Sequence, residues 1–223
     1  FNAAGVSICS NEAHSENDLD REGRPHIQML YKMLGEAGSL DEALAFLQGE
    51  NHMSSEIFFI ADGDNNRAAG IEMSATHLAW REMNDDHLVW ITNHFIEPEM
   101  VPFHIEYPPE ASSKTRLMRV QELLPPGGPD SLYGTLDVTG GLKVLRDRYN
   151  PLFGETVPEE QFDDGGTIAN NGCIHSMIFL NRKRVFYFAA GEPPVPSRQY
   201  VGFSLDELFG VAGAGPPDPP YYQ

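Results

Sequence analysis

The fold is decided by residues 56–81, which read EIFFIADGDNNRAAGIEMSATHLAWR. Stretches 56–61, 67–73 and 76–81 are rich in apolar and aromatic residues, and each has the length of a β-strand. Residues 62–66, DGDNN, separate the first two stretches and have the composition of a tight hairpin turn. A fourth apolar stretch follows at residues 87–92. Connections this short leave no room for crossover helices, so we predict an antiparallel meander of these four strands.

More strands and two pairs of helices are predicted on either side of the meander. The further strands are expected at residues 3–9, 174–180, 184–189 and 200–204. The helices are expected from Pro25 to 34, from a Ser39 cap to 47, from 112 to 124 and over 142–149. Helices and strands come in separate blocks, which indicates an α+β protein with antiparallel sheets.

Three segments are expected to lack regular structure. They are the Pro-punctuated residues 97–109, the long loop at 151–166 and the Pro- and Gly-rich tail at 210–223. The sequence contains no repeat and no interdomain linker, so residues 1–209 are predicted to form a single domain. With 223 residues and 41% hydrophobic content, the chain can bury the core of one large domain.

The chain is strongly acidic. It has 33 acidic residues against 15 basic ones, which gives a formal net charge of −18. Such a surface repels phosphate backbones and anionic lipids, so neither a nucleic acid nor a membrane is an expected partner. No apolar run approaches the roughly 18 residues that a membrane-spanning helix needs, and the cellular location is left open.

The cysteines and histidines do not form a metal site in sequence. Cys9 and Cys173 each lie in an apolar, strand-like context, where a buried free thiol is the usual state, although one disulfide between them stays open. The eight histidines never show the H-x-x-x-H or H-E-x-x-H spacing of a helical site. Residues 62–66 lack the spacing and closing Glu of a calcium loop. We therefore predict no metal and no cofactor.

Two polar segments that follow predicted strands are the best candidates for chemistry. The first is ITNHF at residues 91–95, where Asn93 is placed to donate its side-chain N–H₂ to a developing oxyanion. The second is SNEAH at residues 10–14, where Asn11 is another amide donor. Taken alone, either asparagine is more typical of a residue that closes a turn.

Arg116 and Arg119 lie three residues apart near the start of a predicted helix. One of them could face a carboxylate or hold a catalytic loop. A solvated arginine is the commoner case for any single position, so the pair does not by itself indicate a site.

The ordered succession of short motifs is more informative than any one of them. The motifs are GVSICSNE, RPHIQMLYKML, GIEMS, WITNHF and SKTRLMR, followed by HSMIFL and FAAGEPP. Together they resemble the isopenicillin N acyltransferase-like family, which is grouped with the bile salt and penicillin V hydrolases among the N-terminal-nucleophile hydrolases. The resemblance runs over nearly the whole chain, from Gly5 to Phe203.

The resemblance implies a fold and a reaction. The fold is a four-layer αββα sandwich of antiparallel sheets. The reaction is cleavage or transfer at a linear amide bond of a small substrate, through an acyl-enzyme. The nucleophile is a Cys whose own α-amino group serves as the base, and autocatalytic removal of a pro-segment exposes it.

The resemblance also implies roles for individual residues. Asn93 matches the asparagine that forms the oxyanion hole or orients the substrate. Asn11 matches the asparagine that follows the strand after the nucleophile hairpin, and Arg116 matches the arginine that stabilises the region of the catalytic Cys. Three neighbouring residues are then expected to bind substrate: His14, His94 and Phe95.

The chain departs from the family pattern at its N-terminus. Residue 1 is Phe, and neither Cys9 nor Cys173 matches the nucleophile, which in this family precedes the GVSIC strand by several dozen residues. We expect an N-terminal fragment carrying that Cys, as an upstream segment or a separate partner chain, and homo-oligomers stay open. The alternative is a non-catalytic binding or structural subunit that retains the fold.

Overall fold

The computed structural model describes residues 1–15, 18–105, 108, 112–159 and 165–223. Parts of the predicted irregular segments 97–109 and 151–166 lie outside these residues. Within the described parts, Val101–Phe103 form a 3-10 turn and Glu155–Thr156 a short strand, so the expectation that these segments lack regular structure is wrong there. The chain divides into two compact units. Unit 1 contains Phe1–Tyr107 and Asn181–Lys183, and unit 2 contains Pro108–Leu180 and Arg184–Gln223.

Unit 1 is built on a four-stranded antiparallel sheet in the order β1-β2-β3-β4. Its strands are β1 (Val6–Asn11), β2 (Glu56–Asp62), β3 (Arg67–Met73) and β4 (Leu78–Glu82). The predicted antiparallel meander is therefore confirmed for β2 to β4, and β1 is added beside β2 with Asn11 opposite Ile57.

Two helices cover one face of this sheet, α1 (His26–Glu36) and α2 (Leu40–Gly49). The Ser39 hydroxyl accepts from the Glu42 amide at 3.2 Å, which is the predicted helix cap. Alternate residues of β1 to β3 pack against the helices, and the larger fully buried side chains are Met29, Met33, Leu40, Leu47, Phe58, Ile60, Ile71 and Met73. Each such side chain stabilises the fold by about 1.5–3 kcal/mol relative to exposure.

The strand predicted at residues 87–92 is wrong, because this segment is irregular. Its backbone groups bond to side chains instead of a neighbouring strand. The Arg81 Nη2 donates to the Trp90 carbonyl at 2.6 Å, and the Asn84 carboxamide oxygen accepts from the Leu88 amide at 2.9 Å. A positive φ of 58° at His87 turns the chain before it could extend.

Unit 2 contains the second four-stranded antiparallel sheet, in the order β10-β9-β8-β7. Its elements are α3 (Ser112–Leu123), α4 (Val138–Leu145), β5 (Tyr149–Asn150), β6 (Glu155–Thr156), β7 (His175–Leu180), β8 (Val185–Ala190), β9 (Tyr200–Ser204), α5 (Leu205–Leu208) and β10 (Tyr221–Tyr222). The helix predicted over 142–149 begins earlier, because the Asp137 carboxylate caps α4 by accepting from the Gly140 amide at 2.8 Å. It also ends earlier, at Leu145, and Tyr149 lies in β5.

The expectation that residues 210–223 contain no regular element is wrong at the end of the tail. Tyr221 and Tyr222 pair with β9 as strand β10. Tyr222 packs edge-on against Tyr187 with ring centroids 5.0 Å apart, and the Tyr187 hydroxyl donates to the Pro219 carbonyl at 3.0 Å. Aromatic side chains therefore hold a segment that its Pro and Gly content marks as irregular.

The structure is a mixed α/β protein with antiparallel sheets, which is compatible with the predicted α+β sandwich. The four-layer αββα arrangement and the single domain over residues 1–209 stay predictions. No helix in the described ranges has the length and apolar character needed to cross a membrane.

Candidate active site

The two asparagines selected from the sequence lie together in unit 1. The Asn11 Nδ2 donates to the Thr92 carbonyl at 3.3 Å, and the Asn93 Nδ2 donates to the Glu12 carbonyl at 2.9 Å. Each side chain thus holds the backbone next to the other asparagine, across 81 residues of sequence. We call these four residues, Asn11, Glu12, Thr92 and Asn93, the carboxamide clasp.

Strand alternation decides which way Asn11 points. Val6 and Ile8 are buried against the helices, so the alternate residues of β1, including Cys9 and Asn11, belong to the opposite face of the sheet. The expectation of a buried Cys9 is wrong, since the Cys9 side chain is exposed. Cys9 and the half-buried Cys173 are both free thiols, so the disulfide left open by the sequence does not form.

The segment that carries Asn93 is held at both ends by one buried ion pair. The Glu72 carboxylate is fully buried and accepts from the Arg81 guanidinium at 2.7 Å. It also accepts from the backbone amides of Ile96 and Glu97, at 2.9 and 3.0 Å. Arg81 in turn holds the Trp90 carbonyl, so the pair fixes residues 90–97 on either side of the clasp.

Sequence reasoning missed both members of this pair. Glu72 is the acidic residue of GIEMS, next to apolar residues of β3, and Arg81 is the penultimate residue of β4, the strand that pairs with β3. A charged residue in a strand with apolar neighbours was the available signal, because such a group is buried only when it is paired.

Two of the predicted substrate contacts, His94 and Phe95, are buried. Phe95 is 3% exposed and packs with Ala13, Ile57 and Met100. His94 is 7% exposed, and its Nδ1 lies 3.1 Å from the Thr92 hydroxyl. The contacts in the structure give both residues a packing role beside the clasp, and a contact with substrate stays a prediction.

His14, the third predicted substrate contact, lines a cavity of about 660 Å³. Its Nε2 lies 3.7 Å from a Glu12 carboxylate oxygen, and its side chain is half exposed. Glu12 therefore joins the two features, since its carbonyl accepts from Asn93 and the residue lines the cavity.

Arg116 lies on α3, in unit 2. Its Nε donates to the Ser112 carbonyl at 3.2 Å. Burial lowers the pKa of its guanidinium, and the Cys173 thiol opposes this shift. The neighbouring Arg119 has a structural environment, because it forms a bidentate pair with Asp147 at 2.8 and 3.0 Å.

No group of three His, Cys, Asp or Glu side chains in the described ranges is placed to hold a metal ion. At the clasp, the side-chain hydrogen bonds of Asn11 and Asn93 orient two carboxamide donors. Fixed donors of this kind stabilise the negative charge that develops on a carbonyl oxygen during acyl transfer.

Residues 1–194 match the sequence model of a family described as acyl-coenzyme A:6-aminopenicillanic acid acyl-transferase. The matched range includes every residue of the clasp, all of unit 1 and the part of unit 2 up to residue 194. A search of curated proteins returns no match.

Proposed function

Because the chain belongs to the acyl-coenzyme A:6-aminopenicillanic acid acyl-transferase family, we propose that it cleaves or transfers at a linear amide bond through an acyl-enzyme. Membership of this family supports an acyltransferase or hydrolase activity. The covalent route and the roles of individual residues are the finer part of the proposal.

The proposed nucleophile is an N-terminal Cys on a fragment outside this chain. Its α-amino group takes the thiol proton, and the thiolate attacks the amide carbonyl carbon. The C–N bond then breaks, the amine leaves with a proton, and the acyl group stays on sulfur as a thioester. Water or a second amine next attacks the thioester and releases the thiolate.

The carboxamide clasp is the observation that carries this proposal. Asn93 and Asn11 would donate to the oxyanion that forms in each attack. Their orientation is set by backbone carbonyls before any substrate arrives, so no reorganisation is needed in the transition state. Arg116 is proposed to organise the region of the catalytic Cys, and the loops at 97–109 and 151–166 to shape substrate entry.

The first experiment replaces the proposed oxyanion donor in the protein produced from its complete reading frame. Asn93→Ala is expected to lower the acyl-transfer rate by about 10²–10³, the usual loss for one such donor. Asn51→Ala, at an exposed asparagine of the same unit, is the control and is expected to keep the rate. An unchanged rate in Asn93→Ala removes Asn93 from the mechanism.

The second experiment separates the enzyme from a non-catalytic subunit. The intact mass of the natively purified protein is expected to reveal a co-purifying fragment that begins with Cys. A chain with no Cys-initiated fragment supports the alternative, a binding or structural subunit that retains the fold.

A further inference from the structure

The face of the unit 1 sheet that points away from α1 and α2 carries a row of residues in register across its four strands. The members of the row are Asn11, Ile57, Glu72 and Ala79. Phe95 packs in one hydrophobic cluster with the two apolar members of the row. The segment at residues 90–97, which carries Asn93, therefore lies across this face of the sheet.

The two polar members of the row hold this segment on either side of Asn93. Before it, the Asn11 Nδ2 donates to the Thr92 carbonyl at 3.3 Å. After it, the fully buried Glu72 carboxylate accepts from the Ile96 amide at 2.9 Å. Because both anchors belong to one sheet, the spacing of the strands sets the distance between them.

Gly70 provides the space for a further anchor. It lies opposite Arg81 in the register of β3 and β4, on the same face as Glu72. A Cβ atom at residue 70 would lie 2.8 Å from the Ile91 Cγ2 and 3.3 Å from the Arg81 Nη2. The absent side chain therefore lets Ile91 and the guanidinium approach the sheet, where the Arg81 Nη2 donates to the Trp90 carbonyl at 2.6 Å. We call Gly70, Glu72 and Arg81 the strand socket.

We propose that the strand socket positions the Asn93 carboxamide for the reaction, and that its three members act through Asn93 without touching the substrate. This inference rests on the proposed function and extends it, because it names the residues that fix the oxyanion donor in place. A carboxamide has two N–H donors, and the bond to the Glu12 carbonyl occupies one of them. The second keeps its direction only if the backbone of residues 90–97 is held still.

The rate that such a donor supports depends on where it lies. A displacement of about 1 Å can cost about 10²-fold in rate, even when the altered residue is distant from the chemistry. Displacement of an oxyanion donor weakens an interaction that is made only in the transition state, so kcat and kcat/KM fall together. A defect in the strand socket is therefore expected to lower kcat and to leave KM unchanged.

The first variant is Gly70→Ala, in the protein produced from its complete reading frame. It removes no hydrogen-bonding group, and its Cβ displaces Ile91, whose branched side chain has little rotamer freedom. Release of p-nitroaniline from a series of N-acyl-p-nitroanilides is expected to show kcat lowered by about 10–10²-fold. Gly35→Ala on α1 is the matched control and is expected to keep the rate, because a Cβ there meets nothing within 4 Å.

The second variant is Arg81→Lys. Lysine keeps a positive charge beside Glu72 but lacks the planar fork with which one guanidinium binds both Glu72 and the Trp90 carbonyl. This variant is expected to lower kcat by about tenfold. The matched control is Arg67→Lys, at an arginine that pairs with Glu82 near the surface, and it is expected to keep the rate.

Combination with Asn93→Ala separates a positioning role from a purely structural one. If the socket acts through the carboxamide, Gly70→Ala and Arg81→Lys change kcat by less than about twofold once Asn93 is absent. A loosened fold would instead lower kcat by the same factor with and without Asn93, and this result overturns the proposal. An unchanged kcat in both single variants also overturns it. If one of the two variants does not fold, the other decides.

These results are distinguishable from a failure of the proposed function. An Asn93→Ala protein that keeps the full rate removes the proposed function and this inference together. A rate that depends on Asn93 but not on Gly70 or Arg81 retains the function and removes only the role of the strand socket.

Discussion

Two buried carboxyl groups of the same sheet have opposite environments. Glu72 on β3 receives an arginine and two backbone amides, whereas Glu56 on β2 has one histidine contact at 3.4 Å. Glu56 pairs with Met73, the residue after Glu72, on the neighbouring strand. Because successive side chains of a strand point to opposite faces, Glu56 and Glu72 lie on opposite faces of the sheet. The difference teaches that the donors around a buried carboxyl group decide its role: Glu72 holds the segment at residues 90–97, whereas Glu56 has a single histidine contact.

The largest expected effect comes from breaking the satisfied site. Glu72→Ala leaves the Arg81 guanidinium without its buried carboxylate and the Ile96 and Glu97 amides without an acceptor. Loss of one partner of a buried pair is expected to lower the free energy of unfolding by about 3–5 kcal/mol. Urea denaturation followed by circular dichroism measures this.

Glu82→Ala is the matched control, because Glu82 pairs with Arg67 at the surface. Exposed ion pairs contribute about 0–1 kcal/mol to stability, so the urea midpoint of Glu82→Ala is expected to lie close to that of the unmodified protein. If Glu72→Ala and Glu82→Ala lower the free energy of unfolding equally, the burial of Glu72 adds nothing to stability.

The next effect is a change in the pH dependence of stability at the unsatisfied site. The pKa of Glu56 is raised to about 8 in the folded protein from an ordinary value of 4.5. The stability contributed by its neutral form is fully present below pH 4.5 and is lost as pH rises towards 8, by at most about 1.4 kcal/mol per pH unit. Glu56→Gln cannot ionise and is expected to be more stable than the unmodified protein at pH 9.

Thermal unfolding at pH 5, 7 and 9 measures this difference. The gap in melting temperature between Glu56→Gln and the unmodified protein is expected to widen in favour of the variant as pH rises. If the melting temperatures of the two proteins change in parallel with pH, the pKa of Glu56 is not raised.

The smallest expected effect is at the clasp itself. Asn11→Ala removes one hydrogen bond, to the Thr92 carbonyl, and is expected to lower the free energy of unfolding by about 0.5–1.5 kcal/mol. Residues 90–97 keep their contacts with Glu72 and Arg81, so the fold is expected to persist. A loss as large as that of Glu72→Ala would show that the clasp, and not the buried pair, holds this segment.

Local pattern was enough to predict much of the fold. The meander over residues 56–81 and the Ser39 cap depend on neighbours in sequence, so the residues themselves carry the signal. The strand predicted at 87–92 failed because a strand needs a partner, and here Arg81 and Asn84 side chains take the backbone groups. Composition alone cannot predict that side chains, and not a neighbouring strand, will bind these backbone groups.

The candidate site was predictable only in part. Asn11 and Asn93 could be selected from motifs, although their contact depends on residues 81 positions apart. The roles of Glu72 and Glu56 could not be predicted, because each is decided by donors that the fold brings near. Both are acidic residues in apolar strands, and only the number of donors around each carboxyl distinguishes them.

The central claim is that the clasp serves acyl transfer from a Cys outside this chain. It is tested most directly by the mass of the protein quenched with acid during turnover of an amide substrate. We expect the acyl group as a thioester on a Cys-initiated fragment, accumulating more slowly in Asn93→Ala. An acyl group on Cys9 or Cys173, or turnover with no covalent adduct at any time point, would contradict the account.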